Sequence, residues 1–406
     1  MADPFPILDP ADPRVLDGRI WEELCDTLRD AGAHVLRADL PATPLERAAG
    51  HRYLTQFLAA GINFCVAHAD PDHPELTRMM DLNMRWGLDS PDCLYLVASL
   101  RGDARYRLWG DPGTANHLDI QVNAGHYAEG SIEALRTQGS LSGDDLQRGP
   151  DGRVEIFLGG AQRAENWLPL AVGARFVQLR QNFNDWSKER PADLWIECLG
   201  GPVSRPPLRT DQIAARIDLL RSWMREGGRL WQDMSQVMRS MPPNSVFSFA
   251  PEASAERSGL KGQAYCQGNF RCGPDEAVLF EFEPPPCRHW NISLANAYWE
   301  AIDFISRQSS LNGHQARLDP DGVFRAVIAH RDPGVPNWLD PAGHEEGTLI
   351  VRFILAEGPL PEPSARVLKL AEVRSALPDA TPRVSPQARE ATLRVRREAL
   401  WRRYRR

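Results

Sequence analysis

The sequence predicts a mixed α+β fold that is predominantly β: two related β-sandwich-like modules, an N-terminal helical segment and a helical connector. Three observations carry this. A segment occurs twice, hydrophobic spacing switches from helical to alternating near Cys93, and helical spacing returns between the two copies.

The repeat opens with His117-Leu118-Asp119-Ile120-Gln121-Val122-Asn123, echoed by His289-Trp290-Asn291-Ile292-Ser293-Leu294-Ala295. Asp151-Gly152, Asn166-Trp167-Leu168 and Arg180 follow the first copy; Asp321-Gly322, Asn337-Trp338-Leu339 and Arg352 follow the second. The offsets of these anchors are 172, 170, 171 and 172 residues, an order and spacing that indicate tandem duplication.

The helical segment spans 1–90. Asp17 is placed to cap a helix carrying Ile20, Leu24 and Leu28 on one stripe, and Thr43-Pro44-Leu45-Glu46 opens a second with Tyr53 and Phe57. His68-Ala69-Asp70-Pro71-Asp72-His73-Pro74 could suggest a metal, but its prolines favour an Asx-rich turn ahead of a further helix, with helical character to about residue 88. The first β module runs over 91–205. Leu94, Leu96, Ala98 and Leu100 alternate with Tyr95, Val97 and Ser99. The connector is 206–244, with Ile213, Ile217, Leu220 and Met224 at helical spacing, a break at Gly227-Gly228, and Leu230, Met234, Val237 and Met241 beyond. The second module is 245–376, and an Arg-rich tail helix occupies 377–406.

Composition narrows the partners. The 406 residues are 42% hydrophobic and carry a net charge of −7. After Pro382 the tail holds nine arginines and two glutamates, so the body is acidic. That body argues against nucleic acid, and Leu393, Leu400 and Tyr404 at helical spacing predict that the tail docks on it or on a second copy of the chain. No apolar run is long enough for a membrane helix, and the acidic, proline-rich start lacks the pattern of a signal peptide. Seven scattered cysteines without zinc spacing fit reduced thiols in the cytoplasm.

Alternation also assigns faces. His117, Asp119, Gln121 and Asn123 oppose Leu118, Ile120 and Val122; His289, Asn291 and Ser293 oppose Trp290, Ile292 and Leu294. Gln178 and Arg180 oppose Val177 and Leu179, while Ile350 and Arg352 oppose Leu349 and Val351. Arg180 and Arg352 therefore stand mid-strand, where a guanidinium can hold a carboxylate or pair with a neighbouring acid. Asn166 and Asn337 are expected to order the loop before each tryptophan. Trp167 and Trp338 can fill the core or offer a flat face to a ligand.

The Asp-Gly … Asn-Trp-Leu … Arg pattern resembles the DUF1214 family of bacterial proteins, with the second copy nearer through His330-Arg331-Asp332-Pro333 and Asn337-Trp338-Leu339-Asp340-Pro341. The first copy lacks the histidine-proline run. The resemblance implies a β-sandwich-like module and supplies no catalytic residues.

No dinucleotide fingerprint, P-loop, nucleophile elbow or zinc-protease motif is present, so no cofactor and no metal are expected. The expected function is a cofactor-independent enzyme of lyase, decarboxylase or hydrolase type. Its substrate would be an apolar or aromatic small molecule with a carboxylate or phenol, bound between the modules. His289, His117 and His330 are the candidate proton movers. Arg352, Arg180, Asn291, Tyr298, Trp338 and Trp167 are the candidate binding residues, with Tyr127 and His314 secondary. A non-catalytic ligand-binding or scaffold protein is the alternative.

Overall fold

The computed structural model describes residues 11–249 and 262–405; the proline-rich N-terminal residues lie outside these. The first module has nine strands: β1 (Thr77–Met80), β2 (Cys93–Ser99), β3 (Tyr106–Asp111), β4 (His117–Ala124), β5 (Arg136–Ser142), β6 (Val154–Leu158), β7 (Trp167–Leu168), β8 (Ala174–Asn182) and β9 (Asp193–Cys198). The second repeats them as β10 (Val246–Phe249), β11 (Gln263–Arg271), β12 (Glu276–Phe282), β13 (His289–Ala295), β14 (Ser310–Asn312), β15 (Phe324–Ile328), β16 (Trp338–Leu339), β17 (Glu346–Ile354) and β18 (Ser364–Lys369).

Each module is a sandwich of one five-stranded and one four-stranded sheet. The orders are β1-β2-β8-β4-β5 with β7-β6-β3-β9, and β10-β11-β17-β13-β14 with β16-β15-β12-β18. Every strand of the second copy thus takes the place of its counterpart nine positions earlier, which establishes the duplicated β-sandwich architecture.

The alternation builds the cores as expected. Leu118, Ile120, Val122, Val177 and Leu179 pack with Leu108 and Ile156 inside the first sandwich, and Ile292, Leu294, Leu349 and Val351 pack with Phe280 and Phe324 inside the second. The opposite faces of the five-stranded sheets are buried too, under a third core that belongs to neither sandwich. There the helices Arg19–Ala31, Pro44–Gly61, Thr210–Ser222 and Gly228–Arg239, with the π-turn Trp223–Gly227 between the last two, bring Phe57, Trp223 and Trp231 against Trp86, Tyr127, Val97, Ile350 and Trp299. Each such large side chain removed from water stabilises by roughly 1.5–3 kcal/mol, so the helices act as shared filling between the copies.

Three expectations from sequence are corrected here. Helical character ends at Ala67, and residues 77–80 form strand β1, paired antiparallel with β2. The open edge of a sheet overrides the weak helical preference of Thr77-Arg78-Met79-Met80. Asp70 does make the turn, accepting from the backbone N–H groups of Asp72 and His73. Second, Gly227-Gly228 do not break the connector, which passes through a π-turn at Trp223–Gly227 straight into the next helix. A Cβ on Gly227 would lie 3.2 Å from the Tyr127 carbonyl oxygen, so the glycine permits close packing. The helix expected to be capped by Asp17 follows a short one at Pro13–Leu16 and starts at Arg19, with Gly18 as its cap and Asp17 accepting from the Arg19 N–H.

The tail forms one helix, Pro386–Tyr404, docked on the body of its own chain through Leu400 and Ala399. It also buries Arg389, Arg396 and Arg403, spaced seven apart. Arg389 donates to Gln308 and Val335, Arg396 to Gln315 and Ser310, and Arg403 to the Pro91 carbonyl. Trp186 lies under both Arg396 and Arg403.

Candidate functional site

A cavity of about 410 Å³ lies between the two five-stranded sheets and the connector. Its walls come from both copies. Cys93 and Tyr95 on β2 and Gln178, Arg180 and Asn182 on β8 face Gln263, Tyr265 and Gln267 on β11 and Ile350 and Arg352 on β17. Trp231, Met234 and Met238 of the connector close one side, and Trp86, Leu88 and Trp299 another.

Strand register makes the two walls equivalent. Tyr95 lies opposite Arg180 across β2 and β8, and Tyr265 lies opposite Arg352 across β11 and β17. On the third strand of each row stand Asp119 and Asn291. Alternation points these residues away from the sandwich cores and into the space between the modules.

The two guanidinium groups are buried, at 9% and 6% exposure, but differ in charge balance. Arg180 donates to Gln121 Oε1 at 2.6 Å and lies 3.9 Å from the Asp119 carboxylate. Burial works against its charge, but Tyr127, Asp119 and Tyr95 outweigh that and hold its pKa above the ordinary arginine value. Arg352 donates to the Ser293 hydroxyl at 3.2 Å and to the Leu88 carbonyl, both neutral. No ion pair to Arg352 occurs among the described residues.

The remaining polar groups of the cavity are neutral donors and acceptors. Burial raises the Tyr95 and Tyr265 phenols, the arginines only partly opposing it, and burial pushes the Cys93 thiol up to about 12. No histidine, aspartate, glutamate or lysine lines the cavity among the described residues. Two wall residues hold left-handed backbone conformations, Leu88 at φ 59° and Trp299 at φ 58°, joined by a hydrogen bond from Leu88 N to Trp299 O at 2.7 Å. Non-glycine residues adopt that conformation only where packing enforces it.

The structure separates the sequence candidates into groups. Arg180, Arg352 and Tyr127 line the cavity. Asn291 stands just behind, donating to Ser90 Oγ at 3.0 Å and Asp92 Oδ2 at 2.6 Å. His117 and His289 occupy the outer end of the same polar faces, buried but outside the lining. His289 Nδ1 meets the Asn184 side-chain oxygen, and burial lowers its pKa to about 4, so the ring is neutral. Burial also lowers His117.

The other candidates lie elsewhere, and their assignment to one site is corrected. His330 Nε2 bonds the Cys272 carbonyl at 2.9 Å, at the far sheet of the second module. Trp338 donates to the Ala329 carbonyl at 2.7 Å and Trp167 to the Gly159 carbonyl at 3.0 Å, matched structural contacts in the two copies. Tyr298 stacks on Tyr53 and donates to the Glu46 carbonyl at 3.1 Å. His314 is largely exposed, 3.8 Å from Asp185. Asn166 and Asn337 tie their loops to backbone groups on both sides.

Tyr95, Tyr265, Trp86, Trp231 and Trp299 were not singled out from sequence. A usable signal existed for one pair: Tyr95 and Tyr265 recur at the spacing of the Asp-Gly anchors, 170 residues. Among the described residues no group of three metal-ligating side chains occurs, and no helix is long and apolar enough to cross a membrane. All seven cysteines are free.

Fold and cavity together define a tandem β-sandwich protein with a cavity between its copies. The chain belongs to the same family as an uncharacterized protein from Burkholderia cenocepacia. The two are 30% identical, the match covers 88% of this chain and 99% of that one, and they superpose with a TM-score of 0.83. A protein from Vibrio parahaemolyticus is 13% identical over 79% of this chain and 98% of its own, with a TM-score of 0.44. No family model and no curated protein matches the chain.

Proposed function

We propose that the protein binds a small organic anion, a carboxylate or phenolate on a largely apolar or aromatic body, in the cavity between the two modules. The observation that carries this reading is Arg352: a buried guanidinium whose partners are a hydroxyl and a carbonyl, on the wall of a cavity of about 410 Å³. A buried charge is held at a large desolvation cost unless an opposite charge meets it. Asp119 beside Arg180 offsets one of the two arginines, leaving room for one negative charge. The cavity lies in the ~300–1,000 Å³ range of small-molecule sites, and its tryptophans and methionines suit a flat apolar body.

A catalytic version of the same site, of lyase, decarboxylase or hydrolase type, would draw on His289 or His117. Each has one buried ring nitrogen without a partner. Neither lines the cavity, so binding is the better supported form and the scaffold reading the weaker one. The free thiols favour a reducing compartment such as the cytoplasm. A place in the DUF1214 family rests on the Asp-Gly … Asn-Trp-Leu … Arg pattern and the His330-Arg331-Asp332-Pro333 run alone.

The test is a thermal-shift screen of the full chain against aromatic acids, phenols, steroids and sugars, repeated with Arg352→Ala. A ligand at 100 times its dissociation constant adds about 2.7 kcal/mol, which moves the midpoint by several degrees. Stabilisation by acids that disappears in the variant supports the reading; no response from any anion rejects it. Product analysis by mass spectrometry on any hit decides between binding and turnover.

A further inference from the structure

The two walls of the cavity end differently at their sheet edges. In the second module one row of register partners runs inward from the edge: Phe249 on β10, Tyr265 on β11, Arg352 on β17 and Asn291 on β13. Phe249, Tyr265 and Arg352 all line the cavity. Burial deepens along the row, from Phe249 at 38% exposure through the half-buried Tyr265 to Arg352 at 6%. The matching row of the first module is Met80, Tyr95, Arg180 and Asp119, and its edge residue Met80 is only 8% exposed.

The difference follows from what lies beside each edge strand. The π-turn Ile62–Ala67 flanks β1, and its Asn63 side chain donates to Thr77 Oγ1 at 3.1 Å and to the Arg78 carbonyl at 2.7 Å. On β10, Phe247 shares the face of Phe249 and is 50% exposed. Asn269 on β11 donates to the Met238 carbonyl at 3.0 Å, which fixes the connector beside this wall, and Met234 and Met238 line the cavity. The first module's edge is closed, and the second's carries exposed aromatic surface.

Adjacent strands lie about 4.8 Å apart, so Phe249 and Arg352 are separated by roughly 10 Å across the row. The wall thus holds a buried charge at its inner end and aromatic rings from there to the edge. Resting on the anion reading above, we propose that the ligand is an elongated acid, an arylalkanoate or medium-chain carboxylate, that enters head first over the β10 edge. Its carboxylate meets Arg352, its chain crosses Tyr265 beside Ile350, and its far end covers Phe249. A short acid seated on Arg352 leaves Phe249 in water. Each added methylene removes further apolar surface from water, so affinity rises by about three- to fourfold per methylene until the chain passes Phe249.

The experiment is calorimetric titration of the full chain with butanoate, hexanoate, octanoate and decanoate, and with benzoate against phenylbutanoate. It is repeated with Phe249→Ala and with Met80→Ala, the equivalent change at the first module's edge; thermal unfolding checks that each variant is folded. In the natural protein octanoate is expected to bind about tenfold more tightly than hexanoate, and phenylbutanoate more tightly than benzoate. In Phe249→Ala the gain from hexanoate to octanoate falls to about threefold or less while butanoate keeps its affinity, and in Met80→Ala the gain is retained. Affinity independent of chain length, a gain unchanged in Phe249→Ala, or a gain lost only in Met80→Ala overturns this inference. Each of those results leaves the anion reading standing, because acids still bind. Failure of every acid to bind the natural protein overturns the anion reading and the inference with it.

Discussion

Arg180 and Arg352 occupy the same register position in two different sheets, each opposite a tyrosine, and yet line a single cavity. Duplication has thus set two copies of one strand row on facing walls, and the difference between the arginines lies in what surrounds them.

Replacement of Arg352 by methionine is expected to separate function from stability. Loss of the charge partner weakens anion binding by ~2–5 kcal/mol. Unfolding of the ligand-free protein by urea should change little, because the removed charge has no acid to leave behind. A large loss of stability would show that the Ser293 and Leu88 contacts, not a ligand, are what Arg352 serves.

Stability should fall in mild acid. His289 and His126 are held neutral by burial, with pKa values lowered to about 4 and about 3, against an unfolded value of about 6.5. The unfolded chain therefore binds more protons below that value. Stability is complete above pH ~6.5 and declines by roughly 1.4 kcal/mol per pH unit for each group as pH falls towards the folded pKa. Urea titrations across this window on His289→Gln should show a slope smaller by about one proton. An unchanged slope would place His289 in contact with solvent.

Asn337 and Asn166 make the same three loop contacts, but Asn337 is buried and Asn166 is at φ 47°. Asn337→Ala should cost about 2–3 kcal/mol in chemical denaturation, through unpaired backbone groups. At position 166 glycine should be milder than alanine, since only glycine takes a left-handed backbone freely.

Neighbouring arginines of the tail should respond very unequally to charge reversal. Arg402 is exposed, and its replacement by glutamate is expected to change stability by less than ~0.5 kcal/mol. Arg403 sits over the Phe183 ring at 4.3 Å and bonds the Pro91 carbonyl, so Arg403→Glu buries an acid among aromatics and should cost ~3 kcal/mol or more. Equal thermal midpoints for the two variants would mean the tail helix is not docked in solution.

Much of this organisation was legible because strands write their faces into sequence at a period of two. Leu118, Ile120 and Val122 announced a core face, and His117, Asp119 and Gln121 an opposite one, before any coordinates. Arg180 and Arg352 were visible as a repeated charge among apolar residues. Hidden were properties that depend on which face meets which. His330 and Trp338 recur in a motif as conspicuous as the arginines, but lie at the far sheet, where they hold carbonyls. Strand β1 was unreadable because its pairing depends on an edge that β2 offers from sixteen residues away. The inner aromatic wall was equally silent, since Trp86, Trp231 and Trp299 come from a loop, the connector and a turn.

The shared cavity has a consequence for how recognition can diversify. Two identical subunits meeting about a two-fold axis must present the same side chains to both halves of a central site, so such a site favours ligands that are themselves two-fold or are read only in part. Joining the copies in one chain removes that restriction. Gln178 stands where the second copy has Ile350, so the two walls of the cavity differ in a way that two identical subunits could not.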